Sequence, residues 1–501
     1  MAINHYNTGL KLSAKGEHAR AILHYEQALA ANPDDAPTLF ALGNTARALD
    51  MDPAAAEFYR RAQAAAPDRI EPIVNLASLL RAQGQFEAAE ALLLPPLARH
   101  PGNADLRLAL GNTYREMGDA GRAAVQYRQA LLLRPDDVTA LGNLADLLAD
   151  DGRDDEARAL YDHVLAAAPG NAQARLNRAI FRLSRGDLEG GWDDYAARLR
   201  LAKAPLSSHG LPPWDGGPLK GLRLLVTAEQ GIGDQVMFAG MMPDLAARAA
   251  AEGGSVLLEC EPRLAALFAR SFPSIGVHRS SFVTREGASR GDYRWLAGRA
   301  DAAVEMGTLP RFLRPALDRF PAPNVYLRPD AAEAERWREA LHAFARPHIG
   351  ICWRSGSRGG HRAVQYAPIE AWAAFVRELP GTIVIAQYDA TPEEIATLER
   401  LSGRSIVVPR DLDQKNELDR CVALFSTFDA MVSAPTAVAW LAAGAGVPSC
   451  KVQYDSGWTS FGRNREYFAP AAFCAVPQRR GDWPEAFDRA RAGLSRRLAW
   501  R

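Results

Sequence analysis

Small and aromatic side chains recur at helical spacing along the first 170 residues, with a repeat period of 34. Proline marks the end of each copy of the pattern, at Pro33, Pro67, Pro101, Pro135 and Pro169. In the fourth copy Gly111 and Tyr114 fall on a first predicted helix, Gly118 breaks it, and Tyr127 falls on a second. A fixed period of this length with two helices per copy indicates stacked helical repeats.

The repeated positions resemble those of the tetratricopeptide repeat (TPR), and we predict about five copies within residues 1–203. The third copy has Leu93 and Pro96 where the others have an aromatic residue and a small one, so its second helix is expected to be shortened or kinked. A partial sixth copy is expected to seal the stack with Trp192 and Tyr195. Such arrays have a concave face that commonly binds extended peptide or another protein, and an array that only dimerises the protein or spaces its domains is the alternative.

The pattern changes in residues 204–220, a stretch rich in Pro, Gly and Ser that predicts a linker. Short β-branched runs then alternate with helical segments, which predicts parallel, doubly wound sheets. The predicted strands are LRLLVTA, SVLLEC, DAAVEM, HIGICW, TIVIAQY, SIVVP, DAMVSA and CKVQY. They divide into halves at 221–328 and 346–480, and a C-terminal helix is predicted over 481–501. The fold class is an all-α TPR superhelix followed by an α/β domain of the GT-B kind, with two Rossmann-like halves facing a cleft.

Composition excludes several classes of protein. The 501 residues are 48% hydrophobic and 24% charged, enough for two or three domains with cores, and the formal net charge is zero. A neutral chain does not favour nucleic acid as a partner. We expect no membrane span and a cytoplasmic protein, because we find neither a signal-peptide pattern nor a long apolar run, and the five cysteines have no C-x-x-C spacing. Metal-binding motifs are likewise missing, so no metal or other cofactor is expected.

Several later segments resemble bacterial TPR-linked glycosyltransferases, which are related to the heptosyltransferases and more distantly to protein O-GlcNAc transferases. The segments, in order, are LLVTAEQGIGDQVMFAGMMPDL, VEMGTLPRFL, IGICWRSGS, RAVQYAPIEAW, DAMVSAPTAVAWLAAGAGVPS and YDSGWTSFGRN. The resemblance covers most of the chain. It implies a metal-independent, inverting transfer of a sugar from a nucleotide-sugar co-substrate.

The segment GIGDQV, residues 231–236, places Asp234 where a strand turns into a helix. An Asp at such a point caps the helix by accepting backbone N–H bonds. Because the carboxyl end of a parallel strand faces the cleft, Asp234 also suits a general base that accepts the proton of an attacking hydroxyl. The resemblance implies the second role, since the matching Asp is the proposed base of the heptosyltransferases. The two roles are compatible.

A second candidate site is VSAPTAV, between a buried strand and a helix. The hydroxyl of Thr436 and the backbone of Ala437 suit a phosphate at the helix N-terminus, while ordinary capping by Ser433 or Thr436 is the alternative. The relatives usually have Asp where Pro435 stands and His where Trp440 stands. These two departures imply either a different sugar or lost activity.

A third candidate is the Gly-rich segment CWRSGSRGGHRAV. It supplies Arg354, Ser355, Arg358 and Arg362 at the end of a strand, where guanidinium groups would offset the charge of a leaving nucleotide. A solvated surface loop is the alternative. Arg354 and Arg362 are the preferred pair, because Arg362 aligns with a basic residue of the family.

Three further residues follow later strands. The resemblance places Gln387 where the relatives contact the base, but a buried strand end would explain it equally well. Asp455 and Trp458 belong to a late loop that would cover the sugar, or Trp458 belongs to the core.

The sequence therefore predicts a glycosyltransferase that modifies Ser or Thr of a protein held by the TPR array. Related TPR-linked enzymes modify flagellin with nonulosonic acids, so flagellin is the specific acceptor hypothesis, with a CMP-nonulosonic acid or a UDP-sugar as donor. A non-catalytic TPR scaffold with a degenerate GT-B domain is one alternative. A transferase acting on lipid or polysaccharide is the other.

Overall fold

The structure is a computed structural model that describes residues 2–201, 209–285, 288–321, 325–356, 365–455 and 457–498. The described chain forms two compact units, and it passes from the first to the second between Ala174 and Arg175. The partial sixth repeat predicted from the sequence thus lies in the second unit, although the predicted linker begins only at residue 204.

The first unit consists of antiparallel helix pairs. Its helices are α1 Ala2–Ala14, α2 His18–Ala31, α3 Ala36–Ala48, α4 Asp52–Ala65, α5 Ile70–Ala82, α6 Phe86–Arg99, α7 Ala104–Glu116, α8 Ala120–Leu133, α9 Val138–Asp150 and α10 Asp154–Ala167, and α11 Ala172–Ser184 crosses into the second unit. The predicted TPR superhelix is confirmed. Asp35, Asn103, Asp137 and Asn171, spaced by multiples of 34, each accept a bond from a backbone N–H in the first turn of the following helix.

Tyrosines of the second helices fill the space between the helices of a pair. Tyr59 is fully buried, and its ring occupies the place that a side chain at Gly43 would need, because a Cβ there would lie 2.5 Å from the ring. In the third copy the equivalent positions, 34 residues further along the chain, hold Ala77 and Leu93. The second helix of this copy is not shortened: α6 has 14 residues, as do α2, α4, α8 and α10. It contains Pro95 and Pro96 in its interior, and a kink there stays a prediction.

The second unit begins with the end of α11 and with α12 (Leu188–Tyr195), which continues into a 3₁₀ turn, Ala196–Arg200. A four-stranded parallel sheet follows, in the order β3, β2, β1, β6. These strands are β1 Arg223–Thr227, β2 Ser255–Cys260, β3 Gly276–Arg279 and β6 Ala302–Glu305, and β4 Phe282–Arg285 with β5 Ala288–Gly291 forms a separate antiparallel pair. The helices of this half are α13 Ile232–Ala239, α14 Met242–Glu252, α15 Ala265–Ser271 and α16 Leu309–Leu313.

A second parallel sheet of six strands has the order β12, β11, β10, β7, β8, β9. Its strands are β7 His348–Cys352, β8 Thr382–Ile385, β9 Ile406–Val407, β10 Ala430–Ser433, β11 Ser449–Val452 and β12 Ala472–Ala475. The helices are α17 Ala331–Leu341, α18 Ile369–Arg377, α19 Pro392–Ser402, α20 Leu418–Phe425, α21 Ala437–Gly444 and α22 Trp483–Leu498. The predicted α/β region with parallel sheets is confirmed.

The apolar core of this unit has two main parts. One joins the helix-covered face of the four-stranded sheet to α20, α21 and the aromatic residues of α12, and it contains Trp192, Phe238 and Leu441. The other packs the far face of the six-stranded sheet on α18 and α22, around Trp372 and Phe487.

Candidate functional site

The two parallel sheets bring their switch points to one cavity. In the first sheet the strand order reverses at β1, and in the second at β7, between β8 and β10. Ligands of open α/β sheets bind at the carboxyl ends of the strands where the order reverses. The loops that follow β1, β7 and β10 all contribute to a cavity of about 540 Å³. Its wall includes Asp234, Ser355, Thr436 and Ala437.

The N-termini of α13 and α21 meet at this cavity. A Cβ on Gly233, the second residue of α13, would lie 3.6 Å from the Cα of Ala437, the first residue of α21. Neither helix is capped by the side chain of its N-cap residue, which is Gly231 for α13 and Thr436 for α21. The positive ends of two helix dipoles therefore face the same space, an arrangement that favours a negatively charged ligand.

Asp234 is the third residue of α13 and is half-buried on the wall of the cavity. The N-cap residue of α13 is Gly231, so Asp234 is not the N-cap and instead places a negative charge in the first turn of the helix. A carboxylate at this position is favoured by the positive end of the helix dipole. Asp234 can thus accept a proton from a group bound in the cavity.

Arg263 and Lys415 carry positive charge to the cavity wall, one from each half. The guanidinium of Arg263 bonds to Glu261 over 2.7 Å and donates to the carbonyl oxygen of Lys415 over 3.0 Å. Both residues follow the carboxyl end of a strand, Arg263 after β2 and Lys415 after β9. The same rule on strand ends could have identified them, but neither lies in a motif that the sequence analysis singled out.

Arg354 does not line the cavity, although it was predicted to bind the nucleotide. Its guanidinium is bound within the protein: it donates to Glu394 over 2.6 and 2.7 Å and to the carboxylate of Asp389 over 2.6 Å. Arg354 is also buried. Burial opposes its charge, but the bonds to Glu394 and Asp389 outweigh this effect and raise its pKa. In this arrangement Arg354 ties β7 to the segment that precedes α19.

Gln387 and Ser433 are buried and hold neighbouring backbone. The Oε1 atom of Gln387 accepts from the backbone N–H groups of Trp353 and Arg354, at 3.1 and 3.0 Å. Ser433 donates to the carbonyl oxygen of Ala434 over 2.6 Å and lies 3.1 Å from the hydroxyl of Thr436. Their direct contacts thus hold the backbone at the ends of β7 and β10, from which the loops that line the cavity begin.

Asp455 and Trp458 of the predicted late loop are not among the residues that line the cavity. Trp458 packs on Trp192 and Tyr195, with ring centroids 6.2 and 5.4 Å apart, and Asp455 pairs with Arg480 at 2.9 Å. Arg358 and Arg362 lie outside the described residues, and their predicted roles stay predictions.

Two features are missing from the part of the chain that the structure describes. None of the helices described there is long and apolar enough to cross a membrane. The described residues also contain no group of three or more His, Cys, Asp or Glu side chains arranged to hold a metal ion.

The repeats define the class of protein. The tetratricopeptide repeat family matches residues 6–70, 74–124 and 108–172, so the chain is a TPR protein with an α/β unit attached. It is 32% identical to protein FlbA of Caulobacter vibrioides over 489 residues, which cover 96% of this chain and 82% of FlbA. The chain belongs to the same family as FlbA.

Other similarities cover smaller parts of the chain. Cellulose synthase operon protein C of Xanthomonas axonopodis pv. citri is 32% identical over 201 residues, which are 38% of this chain and 13% of that protein. A thermophilic TPR protein of Thermus thermophilus, known from its crystal structure, is 28% identical, with a TM-score of 0.33 over 36% of this chain and 100% of its own.

Proposed function

We propose that the α/β unit is a GT-B glycosyltransferase that moves a sugar from a nucleotide-sugar to Ser or Thr of a protein acceptor. The observation that carries the proposal is the convergence of the α13 and α21 N-termini on a cavity that also contains Asp234. Diphosphate and monophosphate groups suit such paired helix ends. A carboxylate beside them suits the deprotonation of a hydroxyl.

In the proposed reaction the acceptor hydroxyl gives its proton to Asp234. The hydroxyl oxygen forms a bond to the anomeric carbon as the bond from that carbon to the phosphate oxygen breaks. The electron pair leaves with the nucleotide, and its negative charge is offset by the α21 N-terminus with Arg263 and Lys415. The positive groups present at the cavity thus take the role that the sequence analysis gave to Arg354.

In this proposal the repeats bind the acceptor protein. TPR arrays are protein-interaction scaffolds, and the concave face of stacked helix pairs suits an extended peptide. Flagellin is the specific acceptor that we put forward, with a CMP-linked nonulosonic acid or a UDP-sugar as donor.

A non-catalytic scaffold is the second candidate. The ion pairs of Arg354 with Asp389 and Glu394 favour it, because they bind this guanidinium within the protein. Trp440 also favours it: its ring lies on the cavity wall, and the buried ammonium of Lys451 lies 4.3 Å from the ring centroid. A transferase acting on polysaccharide is a third, supported only by the names of partial relatives such as cellulose synthase operon protein C.

Intact mass of candidate acceptor proteins, flagellin first, separates these functions. We expect acceptors from cells with the gene to carry one or more added sugar masses that are missing from cells without it. Purified protein with the acceptor and the donor should restore the mass. Equal masses in the two strains for every protein bound by the repeats would favour the scaffold.

A further inference from the structure

The segment formed by the end of α12 and the 3₁₀ turn that follows it, residues 195–200, contacts the loop that leads to Asp234. Tyr195 and Arg198 lie on this segment, and both are buried. The loop between β1 and α13 comprises residues 228–231, and Glu229 and Gln230 are its contacts with the segment.

Arg198 holds Glu229 with a two-pronged bond. Its Nε and Nη2 atoms donate to one carboxylate oxygen of Glu229, at 3.0 and 2.8 Å, and Nη2 also donates to the hydroxyl of Thr308 over 2.8 Å. The side chains of Arg198 and Glu229 are only 7% and 5% exposed. A buried pair of this geometry fixes both partners, because neither has water as an alternative.

Tyr195 holds the next residue of the loop. Its hydroxyl accepts from the side-chain amide of Gln230 over 2.9 Å, and the backbone oxygen of Gln230 accepts from Gln235 over 2.8 Å. Gln235 belongs to the first part of α13, directly after Asp234. The ring of Tyr195 also packs on Trp458, which follows β11 in the other half. The segment therefore contacts both halves that form the cavity.

We propose that Tyr195 and Arg198 are positioning residues for Asp234. They hold residues 228–231 so that the first turn of α13 faces the cavity, and they do so without contact to the substrate. The inference rests on the proposed function for its catalytic consequence. It makes this segment part of the site, and it gives Glu229 the role of an anchor of the loop.

The test uses the full chain with Tyr195→Phe, Arg198→Lys and a control. Tyr195→Phe removes one hydroxyl and keeps the ring packing, and Arg198→Lys keeps the charge but loses the fork. The control is Asp193→Ala, also on α12, which breaks the exposed ion pair between Asp193 and Arg311 of α16. Amide hydrogen exchange is followed across the chain, together with UDP and CMP affinity and the rate of nucleotide release from UDP-N-acetylglucosamine and a CMP-nonulosonic acid.

We expect amides of residues 228–236 to exchange about ten-fold faster in Tyr195→Phe and in Arg198→Lys, with the control unchanged. The rate of nucleotide release from the donor should fall by a similar factor, while the affinity for UDP and CMP stays the same. A general loss of structure would lower both the rate and the affinity. If Arg198→Lys fails to fold, the exchange rates of Tyr195→Phe alone test the positioning role. Unchanged exchange in the folded variants would overturn the inference. A wild-type protein that turns over no donor would count against the proposed function and leave the exchange result to decide the positioning role alone.

Discussion

Glu259 on β2 is a carboxyl group whose burial favours the neutral acid. It is 2% exposed, and the hydroxyl of Tyr293 lies 3.1 Å from its Oε2 atom. Burial raises its pKa to about 7, against a smaller lowering effect of the bond from Tyr293. A carboxyl group with a raised pKa in the folded state stabilises the protein fully below its unfolded pKa near 4.5. That contribution is lost as the pH rises through 7.

Glu259→Gln should therefore remove a pH dependence. Between about pH 4.5 and pH 7 the free energy of unfolding of the wild type should fall relative to the variant by up to about 3 kcal/mol. Denaturant unfolding at both ends of this range measures the difference. Glu335→Gln, at an exposed ion pair, controls for the substitution. If the wild type and Glu259→Gln differed in free energy of unfolding by the same amount at both pH values, the raised pKa of Glu259 would be contradicted.

At the scale of residues, the sequence predicted only part of the candidate site. The rule that ligands bind at the carboxyl ends of strands led to Asp234 and Thr436, which the structure brings to one cavity. The same rule led to Arg354, whose side chain is occupied by Asp389 and Glu394, 35 and 40 residues further along the chain. A partner at such a separation is fixed by the sheet order, which no local pattern contains.

At the scale of elements, the pairing of glycine and tyrosine makes the repeats sensitive to a single methyl group. Gly43→Ala should destabilise the repeat unit by about 1–3 kcal/mol, because its Cβ would lie 2.5 Å from the ring of Tyr59. Gly142→Ala on α9 is the matched control, since a Cβ there meets nothing within 4 Å. It should stabilise by about 0.5–1 kcal/mol through its better helix propensity.

Circular dichroism during thermal unfolding checks the two opposite signs. The double variant Gly43→Ala with Tyr59→Leu imitates the natural pair Ala77 and Leu93, and it should recover part of the loss. Equal midpoints for Gly43→Ala and Gly142→Ala would show that the tyrosine does not limit the space.

The strands show why the fold was easier to predict than the site. All eight predicted runs contain observed strands, because buried parallel strands are short and β-branched. Four strands were missed: the antiparallel pair β4 and β5, and, in the two parallel sheets, β3 (GVHR) and β12 (AFCA). β3 is only partly buried, and β12 is rich in alanine and lacks β-branched residues, so neither has the pattern that predicts a strand.

At the scale of the whole molecule, two truncations test where the repeats end and the site begins. Removal of residues 1–170 ends before α11 and should leave nucleotide binding intact while abolishing modification of the acceptor. Removal of residues 1–203 also deletes Trp192, Tyr195 and Arg198, which leaves Glu229 buried without its guanidinium partner. Titration with UDP and CMP should then detect binding only in the shorter deletion. Equal nucleotide affinity in both would contradict the contribution of Trp192 and Tyr195 to the core of the α/β unit, and a folded 1–170 deletion without binding would contradict the modular account.

The most direct measurement is the rate of glycosyl transfer by Asp234→Asn per folded molecule. Asn has the same shape, and the helix loses only the interaction of its dipole with a charge in the first turn, so the stability should change by about 1 kcal/mol or less. Loss of a general base should lower transfer by roughly 10²- to 10⁴-fold with nucleotide binding retained. A folded, nucleotide-binding Asp234→Asn protein that transfers sugar within a few-fold of the wild type would contradict the account.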